Sequence, residues 1–163
     1  MKAMGIRRGS FYNAFGSKKA VYLRTLDRYL DRMADGGPYT VLAEAEPGVG
    51  AIRLQLESYL ATLLGDSALQ GCYFVHVAKE HRGADPEVQK AIVEGIDRMK
   101  VLLARSIRAA QASETLSSSL DPERTALLLM ALAWGLHVLH EAGAPRPDIL
   151  GSARQLFELV PAG

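Results

Sequence analysis

Residues 5–18, at the start of the chain, read GIRRGSFYNAFGSK and carry its most specific sequence pattern. The pattern predicts a short helix over about residues 6–14, which Gly16 then interrupts. Ser17 is a good N-cap for the next helix, because its hydroxyl can accept a free backbone N–H of the first turn. That second helix is expected to end before the Gly-Gly-Pro sequence at residues 36–38. The opening stretch therefore predicts two consecutive helices joined by a tight turn.

Positive charge is concentrated at this end of the chain. The whole chain carries a net charge of +1, but residues 1–32 hold eight Lys or Arg and two acidic residues, which leaves the remainder acidic. A basic end on an acidic body indicates that only this end meets a polyanion. The ordinary alternative for a run of charges by itself is a solvated helix face.

Length and composition limit the class of protein. The chain has 163 residues, of which 48% are hydrophobic and 23% charged, so it suits one domain or a small module fused to one. Ala and Leu are abundant, which favours helices. The single cysteine, Cys72, excludes an internal disulfide framework and fits a reducing compartment. The longest apolar run, residues 126–136, is too short to span a bilayer, and no signal peptide is evident, so a cytoplasmic protein with no membrane partner is expected.

Apolar periodicity and capping signals predict further helices along the chain. Two Asp-Pro-Glu sequences place Asp at the N-cap and Pro at the first helical position. Residues 69–81 could form a strand by composition, but their apolar spacing and helical neighbours favour a helix. The predicted helices cover about residues 49–65, 69–81, 86–112, 121–142 and 148–160, and residues 36–50 and 113–120 are predicted as loops.

The helix predicted over residues 121–142 has apolar residues on nearly every side. Such a helix must be covered by its own core on one face and by something else on another. In a chain of this size, the second cover is expected to be another copy of the chain.

The opening motif resembles the second half of the helix-turn-helix in the TetR family of transcriptional repressors, whose usual form is close to G-[IV]-x-x-G-[ST]-[FL]-Y-x-x-F-x-[SN]-K-x-x-[LV]. The match runs from Gly5 to Val21. It implies an all-α fold with a partial DNA-binding domain over residues 1–35 and a helical effector-binding and dimerisation domain over residues 36–163. The family motif normally lies further into the chain, so the first helix and most of the second are expected to be missing, through a cut or a start codon placed too late. The full-length protein is then expected to bind operator DNA, and the 163-residue form to bind it poorly or not at all.

The resemblance also implies which side chains meet DNA. A recognition helix presents its N-terminal residues to base edges in the major groove, where Arg pairs with guanine and Asn with adenine, while other groups anchor phosphates. Ile6, Phe11 and Phe15 are expected to face inward. The predicted DNA-binding residues are Arg7, Arg8, Gly9, Ser10, Tyr12, Asn13, Ser17 and Lys18.

For the body, the resemblance implies a homodimer through residues 121–142 and 148–160, and an unknown small-molecule effector that tilts the helix of residues 17–34. The effector pocket is expected to be mostly apolar with a few polar groups. Plain core packing is the alternative for each residue taken singly. The predicted effector-binding residues are Tyr59, Leu63, Phe74, Val77, His81, Met99, Leu103, Trp134 and His137.

Other chemistry finds little support in the sequence. His137 and His140 lie three residues apart, but no further ligand completes a zinc site, so no metal or cofactor is predicted. Cys72 is either a redox-sensing thiol or, more commonly, a buried inert one. No nucleophile with a base and no phosphate loop points to an enzyme. Two alternatives to a regulator remain, a dimeric helical small-molecule carrier that does not bind DNA and a small helical enzyme.

Overall fold

A computed structural model describes residues 13–34, 40–65 and 85–159 of the chain. These residues form helices and connecting turns with no strand among them, which confirms the predicted all-helical class. The helix predicted over residues 69–81 lies outside the described residues. The helices are α1 (Lys18–Ala34), α2 (Thr40–Glu44), α3 (Val49–Leu64), α4 (Pro86–Ala112), α5 (Pro122–Glu141) and α6 (Arg146–Leu159).

The two Asp-Pro-Glu sequences start α4 and α5 as predicted. One carboxylate oxygen of Asp85 accepts a hydrogen bond from the backbone N–H of Glu87 at 3.0 Å, and it also accepts from that of Val88. Asp121 accepts from the backbone N–H of Arg124 at 2.7 Å. These contacts satisfy N–H groups that have no partner inside the helix, and they fix where each helix begins.

Helices α4 and α5 form an antiparallel hairpin around the loop of residues 113–120. The side-chain amide of Gln111 closes this loop by donating to the carbonyl oxygens of Ser117 at 2.9 Å and Leu120 at 2.8 Å. An ion pair between Arg108 and Glu123 ties the first turn of α5 to the last turns of α4.

The core lies between α3, α4, α5 and α6. Arg146, at the start of α6, donates from Nη1 to the carbonyl oxygen of Leu64 at 2.9 Å, so α6 begins beside the end of α3 and runs antiparallel to it. The largest fully buried side chains include Ile52 of α3, Ile107 of α4, Met130 of α5 and Ile149 of α6. Each of the four helices therefore contributes an apolar stripe to one interior.

The helix α2 corrects the sequence prediction, which assigned residues 36–50 to a loop. Its five residues carry no strong helical periodicity, but the side chain of Leu42 is only 1% exposed and belongs to the same core as Leu26 of α1 and Ile52 of α3. Tertiary burial of one leucine stabilises a turn of helix that local sequence does not specify. The end helix also begins earlier than predicted, at Arg146 rather than Asp148.

None of the helices in the described ranges is long and apolar enough to cross a membrane.

Candidate nucleic-acid interface and effector site

A tight turn separates a short helical segment from α1. Residues 13–15 are helical, and Gly16 has a φ of +78°, a conformation that side chains with a Cβ seldom adopt. The backbone N–H of Ala20 donates to Oγ of Ser17 at 3.0 Å, and that of Val21 donates to the Ser17 carbonyl oxygen at 3.1 Å. The predicted interruption at Gly16 and the predicted N-cap at Ser17 are confirmed.

Two of the predicted DNA-binding residues can be placed, since Asn13 and Ser17 are both exposed on this turn. Phe15 was expected to face inward, but 37% of the residue is exposed. The side chain of Lys18 lies outside the described part of the chain, as do Arg7, Arg8, Gly9, Ser10 and Tyr12.

Helix α1 carries this turn and is anchored in the body by its apolar face. Leu26 is fully buried, and Tyr22, Leu23 and Tyr29 pack against the same core. The opposite face, which includes Arg24 and Asp27, is exposed. The body and the turn at residues 13–17 are therefore connected by a helix that belongs to the hydrophobic core.

Ionic contacts also join α1 to α4. Nζ of Lys19 lies 3.0 Å from Oδ2 of Asp85 and forms a second ion pair with Glu87. Hydrogen bonds to Glu87 and then Asp85 raise the pKa of Lys19, and the hydrogen bond from Lys19 lowers the pKa of Asp85. Sequence analysis did not find these contacts, because no local pattern links side chains so far apart in the chain.

The predicted effector-binding residues that can be placed lie on the inner faces of α3, α4 and α5. Tyr59, Met99, Leu103 and His137 are buried, and Leu63 and Trp134 are half-buried. Phe74, Val77 and His81 lie outside the described residues. Met99 and Leu103 belong to the hydrophobic core and Trp134 packs against it.

An open groove of about 290 Å³ lies elsewhere, between α1 and α4. Leu23 and Ala91 are its apolar residues, and Arg24, Asp27, Glu94 and Arg98 contribute charges of both signs. It contains none of the predicted effector-binding residues.

The buried His137 has a polar contact within α5. Nε2 of His137 lies 3.3 Å from Oε1 of Glu141, one helical turn away. No group of three or more His, Cys, Asp or Glu side chains that could hold a metal ion occurs in the described ranges.

Two buried polar residues were missed by sequence analysis. Gln55 is 3% exposed and Ser106 is 1% exposed. Neither Oε1 of Gln55 nor Oγ of Ser106 has a hydrogen-bond partner within the described residues. The signal was present in the sequence, since each replaces an apolar residue at a core position: Gln55 follows Ile52 by three residues, and Ser106 follows Leu103 by three. Buried polar atoms of this kind call for an explanation, and a polar ligand is one.

Helix α5 buries one face and leaves an apolar face outside. Ala126, Met130, Ala133 and His137 are among its buried residues. The exposed residues repeat at helical spacing on the other side, and we call them the outer apolar face of α5: Leu127 (48% exposed), Leu128 (58%), Leu132 (38%), Val138 (37%) and Leu139 (51%).

Solved structures share this arrangement of helices. A TetR family transcriptional regulator from Cytophaga hutchinsonii superposes with a TM-score of 0.82 at 18% identity, covering 98% of this chain and 79% of that one. The reduced form of NemR from E. coli gives 0.79 at 21% identity, covering 99% and 85%. A cysteine mutant of the TetR family regulator CifR, solved with 26-bp double-stranded operator DNA, gives 0.80 at 26% identity, covering 98% and 83%.

A search of curated proteins found no match. Residues 48–148, well over half of the chain, match a family model described as Tetracyclin repressor-like, C-terminal domain. The matched region extends from the start of α3 to the start of α6 and so covers most of the helical body. The chain belongs to the TetR family of transcriptional regulators.

Proposed function

We propose that this regulator binds operator DNA through the segment that ends at Gly16 and acts as a ligand-responsive repressor. The observation that carries the proposal is the junction at Gly16 and Ser17. It holds the exposed Asn13 at the end of α1, and α1 is fixed in the core by Leu26. An exposed helical turn on a rigid arm suits insertion into a major groove. The likeness to CifR, which was solved with operator DNA, supports this use.

The remaining DNA contacts expected from the motif are part of the same proposal. The backbone N–H groups after Ser17, together with Lys18, form an anion site at the start of α1 that suits a DNA phosphate. Arg7 and Arg8 read guanine edges, Asn13 reads adenine, Gly9 and Ser10 allow close approach, and Tyr12 binds phosphate. A regulator of this kind acts in the cytoplasm, where it meets its operator DNA. We do not propose a catalytic activity for it.

We further propose that two copies pair through α5 and α6. Residues 121–142 include the outer apolar face of α5, which the described residues leave uncovered. Contiguous exposed leucines of this kind mark protein contact surfaces, and a surface on one helix of a small chain pairs most simply with itself. Residues 148–160 of α6 complete the contact. Pairing gives the molecule two DNA-reading turns at a fixed separation, which half-site recognition requires.

The effector is proposed to bind among Tyr59, Leu63, Met99, Leu103, Trp134 and His137, with Phe74, Val77 and His81 completing the pocket. Within the described residues, Oε1 of Gln55 on α3 and Oγ of Ser106 on α4 have no hydrogen-bond partner, which supports a polar ligand among these helices, because a bound hydrogen-bond donor would satisfy such a buried oxygen.

Selection of DNA tests the main proposal. The 163-residue chain, and the same chain extended by any in-frame residues encoded upstream of Met1, are each used to select duplexes from a random-sequence pool. We expect the extended form to select a preferred sequence with two half-sites, to bind it more tightly than the 163-residue chain does, and to lose affinity steeply as salt rises. An Asn13→Ala variant should lose discrimination at one base pair while its salt dependence is unchanged.

Failure of both forms to select any sequence would refute the DNA-binding proposal. In that case, tight binding of small molecules by the dimer would favour the carrier without a DNA role.

A further inference from the structure

Ionic contacts lie at both ends of the packed pair formed by α1 and α4. Lys19, in the first turn of α1, pairs with Asp85 and Glu87 at the start of α4. Towards the other end, Nη1 of Arg98 lies 3.9 Å from Oδ1 of Asp31. The pairs advance along both helices together, so α1 and α4 run parallel. The contacts at Lys19 are the shorter ones, and they lie at the end nearer the DNA-reading turn.

Asp85 serves both helices at once. Its Oδ1 accepts the backbone N–H groups of Glu87 and Val88, which fixes the start of α4, and its Oδ2 receives Lys19. Lys19 in turn lies two residues after the N-cap Ser17 and three after Gly16. The caps of the two helices are therefore joined through a single lysine, only one turn of helix away from residues 13–15.

The contacts of α1 with the hydrophobic core begin beyond its first turn. Leu26 is fully buried near the middle of the helix, and the half-buried Tyr22, Leu23 and Tyr29 pack against the same core. The groove of about 290 Å³ between α1 and α4 is lined by Arg24 and Glu94 among other residues. In the described part of the chain, the ion pairs of Lys19 therefore join the first turn of α1, which carries the recognition segment, to the start of α4.

We propose that Lys19 is a positioning residue for operator recognition. By bridging to Asp85 and Glu87, it fixes the orientation of the DNA-reading turn relative to α4. This inference rests on the proposed DNA binding, but it concerns orientation rather than contact with DNA. An exposed ion pair adds little to folding stability. Loss of the Lys19 ion pairs is therefore expected to change the specificity of DNA binding rather than the midpoint of unfolding.

The sharpest test removes the acidic partners, which lie on the body rather than on the DNA-reading segment. In an Asp85→Asn/Glu87→Gln variant, Asn keeps the N-cap while both negative charges disappear. If charge alone mattered, affinity for every duplex would rise, because the protein becomes more positive. If Lys19 has the positioning role, the variant should bind the duplex selected by the unmodified protein about fivefold more weakly, or weaker still. Its affinity for a random duplex of equal length should stay the same or rise.

Two further variants complete the test. Asp97→Asn/Glu57→Gln removes the same charge from exposed positions outside the proposed DNA and dimer contacts, and it should leave the ratio of specific to random affinity unchanged. Lys19→Arg should retain the parent ratio and Lys19→Met should lose it. Amide hydrogen exchange in the first turns of α1 should accelerate in the Asp85→Asn/Glu87→Gln variant but not in the charge control.

The outcomes separate this inference from the proposed function. A parent that selects a sequence, with an unchanged ratio in the Asp85→Asn/Glu87→Gln variant, overturns the role of Lys19 and leaves DNA binding intact. A parent that selects no sequence refutes DNA binding itself. Unchanged exchange in α1 would show that the ion pairs do not hold the helix, whatever the DNA result.

Discussion

Arg53 of α3 contacts Phe157, near the end of α6, in two ways. Its guanidinium carbon lies 5.4 Å from the centre of the Phe157 ring, and Nη1 donates to the Phe157 carbonyl oxygen at 3.3 Å. At the other end of the same two helices, Arg146 of α6 donates to the carbonyl oxygen of Leu64. Each helix thus receives an arginine from the other near its C-terminal end, where unpaired carbonyl groups and the helix dipole favour a cation.

Replacing Arg53 by Met should loosen the end of α6. The variant loses a charged hydrogen bond and a cation–π contact, which together are worth about 1–2 kcal/mol at a partly buried site. Urea unfolding should show this decrease in the free energy of unfolding. Arg105→Met, which truncates an exposed arginine of α4, is the matched control and should stay within about 0.5 kcal/mol of the parent. If the two variants were equally stable, Arg53 would not stabilise the packing of α6 against α3.

Leu128→Glu should prevent the pairing of two copies. Leu128 is 58% exposed on the outer apolar face of α5, and burying an unpaired carboxylate in a dimer contact costs several kcal/mol. The dimer dissociation constant should rise about a hundredfold, as measured by sedimentation. Helical content should not change, because Leu128 is not part of the described core.

Leu54→Glu provides the control for this substitution. Leu54 is 50% exposed on α3 and lies outside the residues of the proposed contact, 121–142 and 148–160, so the same chemical change should leave the dissociation constant unchanged. If both glutamates weaken pairing equally, or if neither does, then the outer apolar face of α5 is not the contact.

The helices could be predicted from sequence wherever strong local signals mark their ends. The Asp-Pro-Glu starts specified α4 and α5, and Gly16 with Ser17 specified the start of α1. By contrast, α2 was missed, because it depends on the burial of Leu42 among helices that come before and after it in the chain. A long-range cause leaves no periodic trace in five residues.

The sites were predictable to a different degree. Asn13 and Ser17 could be identified as exposed turn residues from their motif alone. The interior placement of Tyr59 and Leu103 follows from apolar periodicity, but periodicity cannot distinguish a pocket from a packed core. The bridge from Lys19 to Asp85 could not be foreseen, because it depends on how two helices distant in the chain pack together.

Gly135→Ala tests whether two α5 helices pack closely at this glycine, because the substitution should either stabilise the helix or weaken the dimer. Gly135 is exposed in the middle of α5, and a Cβ added there would meet nothing within 4 Å. In an isolated chain, alanine should therefore stabilise the helix by up to about 1 kcal/mol. If two α5 helices cross closely at this glycine, the added methyl group should instead weaken the dimer, and we expect about a tenfold higher dissociation constant.

Gly50→Ala is the reference for this comparison, since Gly50 is exposed on α3 with equally open space around it. It should stabilise the protein slightly or leave it unchanged, without affecting dissociation. A Gly135→Ala dimer as tight as the parent would place the closest approach of the two helices elsewhere.

Ser106→Ala should separate stability from effector response. The Ser106 hydroxyl is buried without a hydrogen-bond partner in the described part of the chain, so removing it relieves a desolvation cost. The free energy of unfolding should rise by about 0.5–1 kcal/mol, whereas release from DNA by an effector should need more ligand. A destabilised Ser106→Ala variant would mean that the hydroxyl has a partner in the folded protein.

The ion pairs of Lys19 should be insensitive to pH across the neutral range and sensitive to salt. The lowered pKa of Asp85 means that its contribution is present above the ordinary value of 3.8 and is lost as the pH falls through the lower pKa of the folded state. The raised pKa of Lys19 means that its contribution is present below 10.5 and is lost as the pH rises beyond that value.

Hydrogen exchange of the first turns of α1, corrected for intrinsic rates, should therefore give the same opening free energy from about pH 5 to 9. Raising the salt concentration should lower that free energy, because exposed charges are screened. The Asp85→Asn/Glu87→Gln variant should lose the salt response, and a transition near pH 6–7 in the parent would indicate that a histidine rather than Lys19 controls the end of α1.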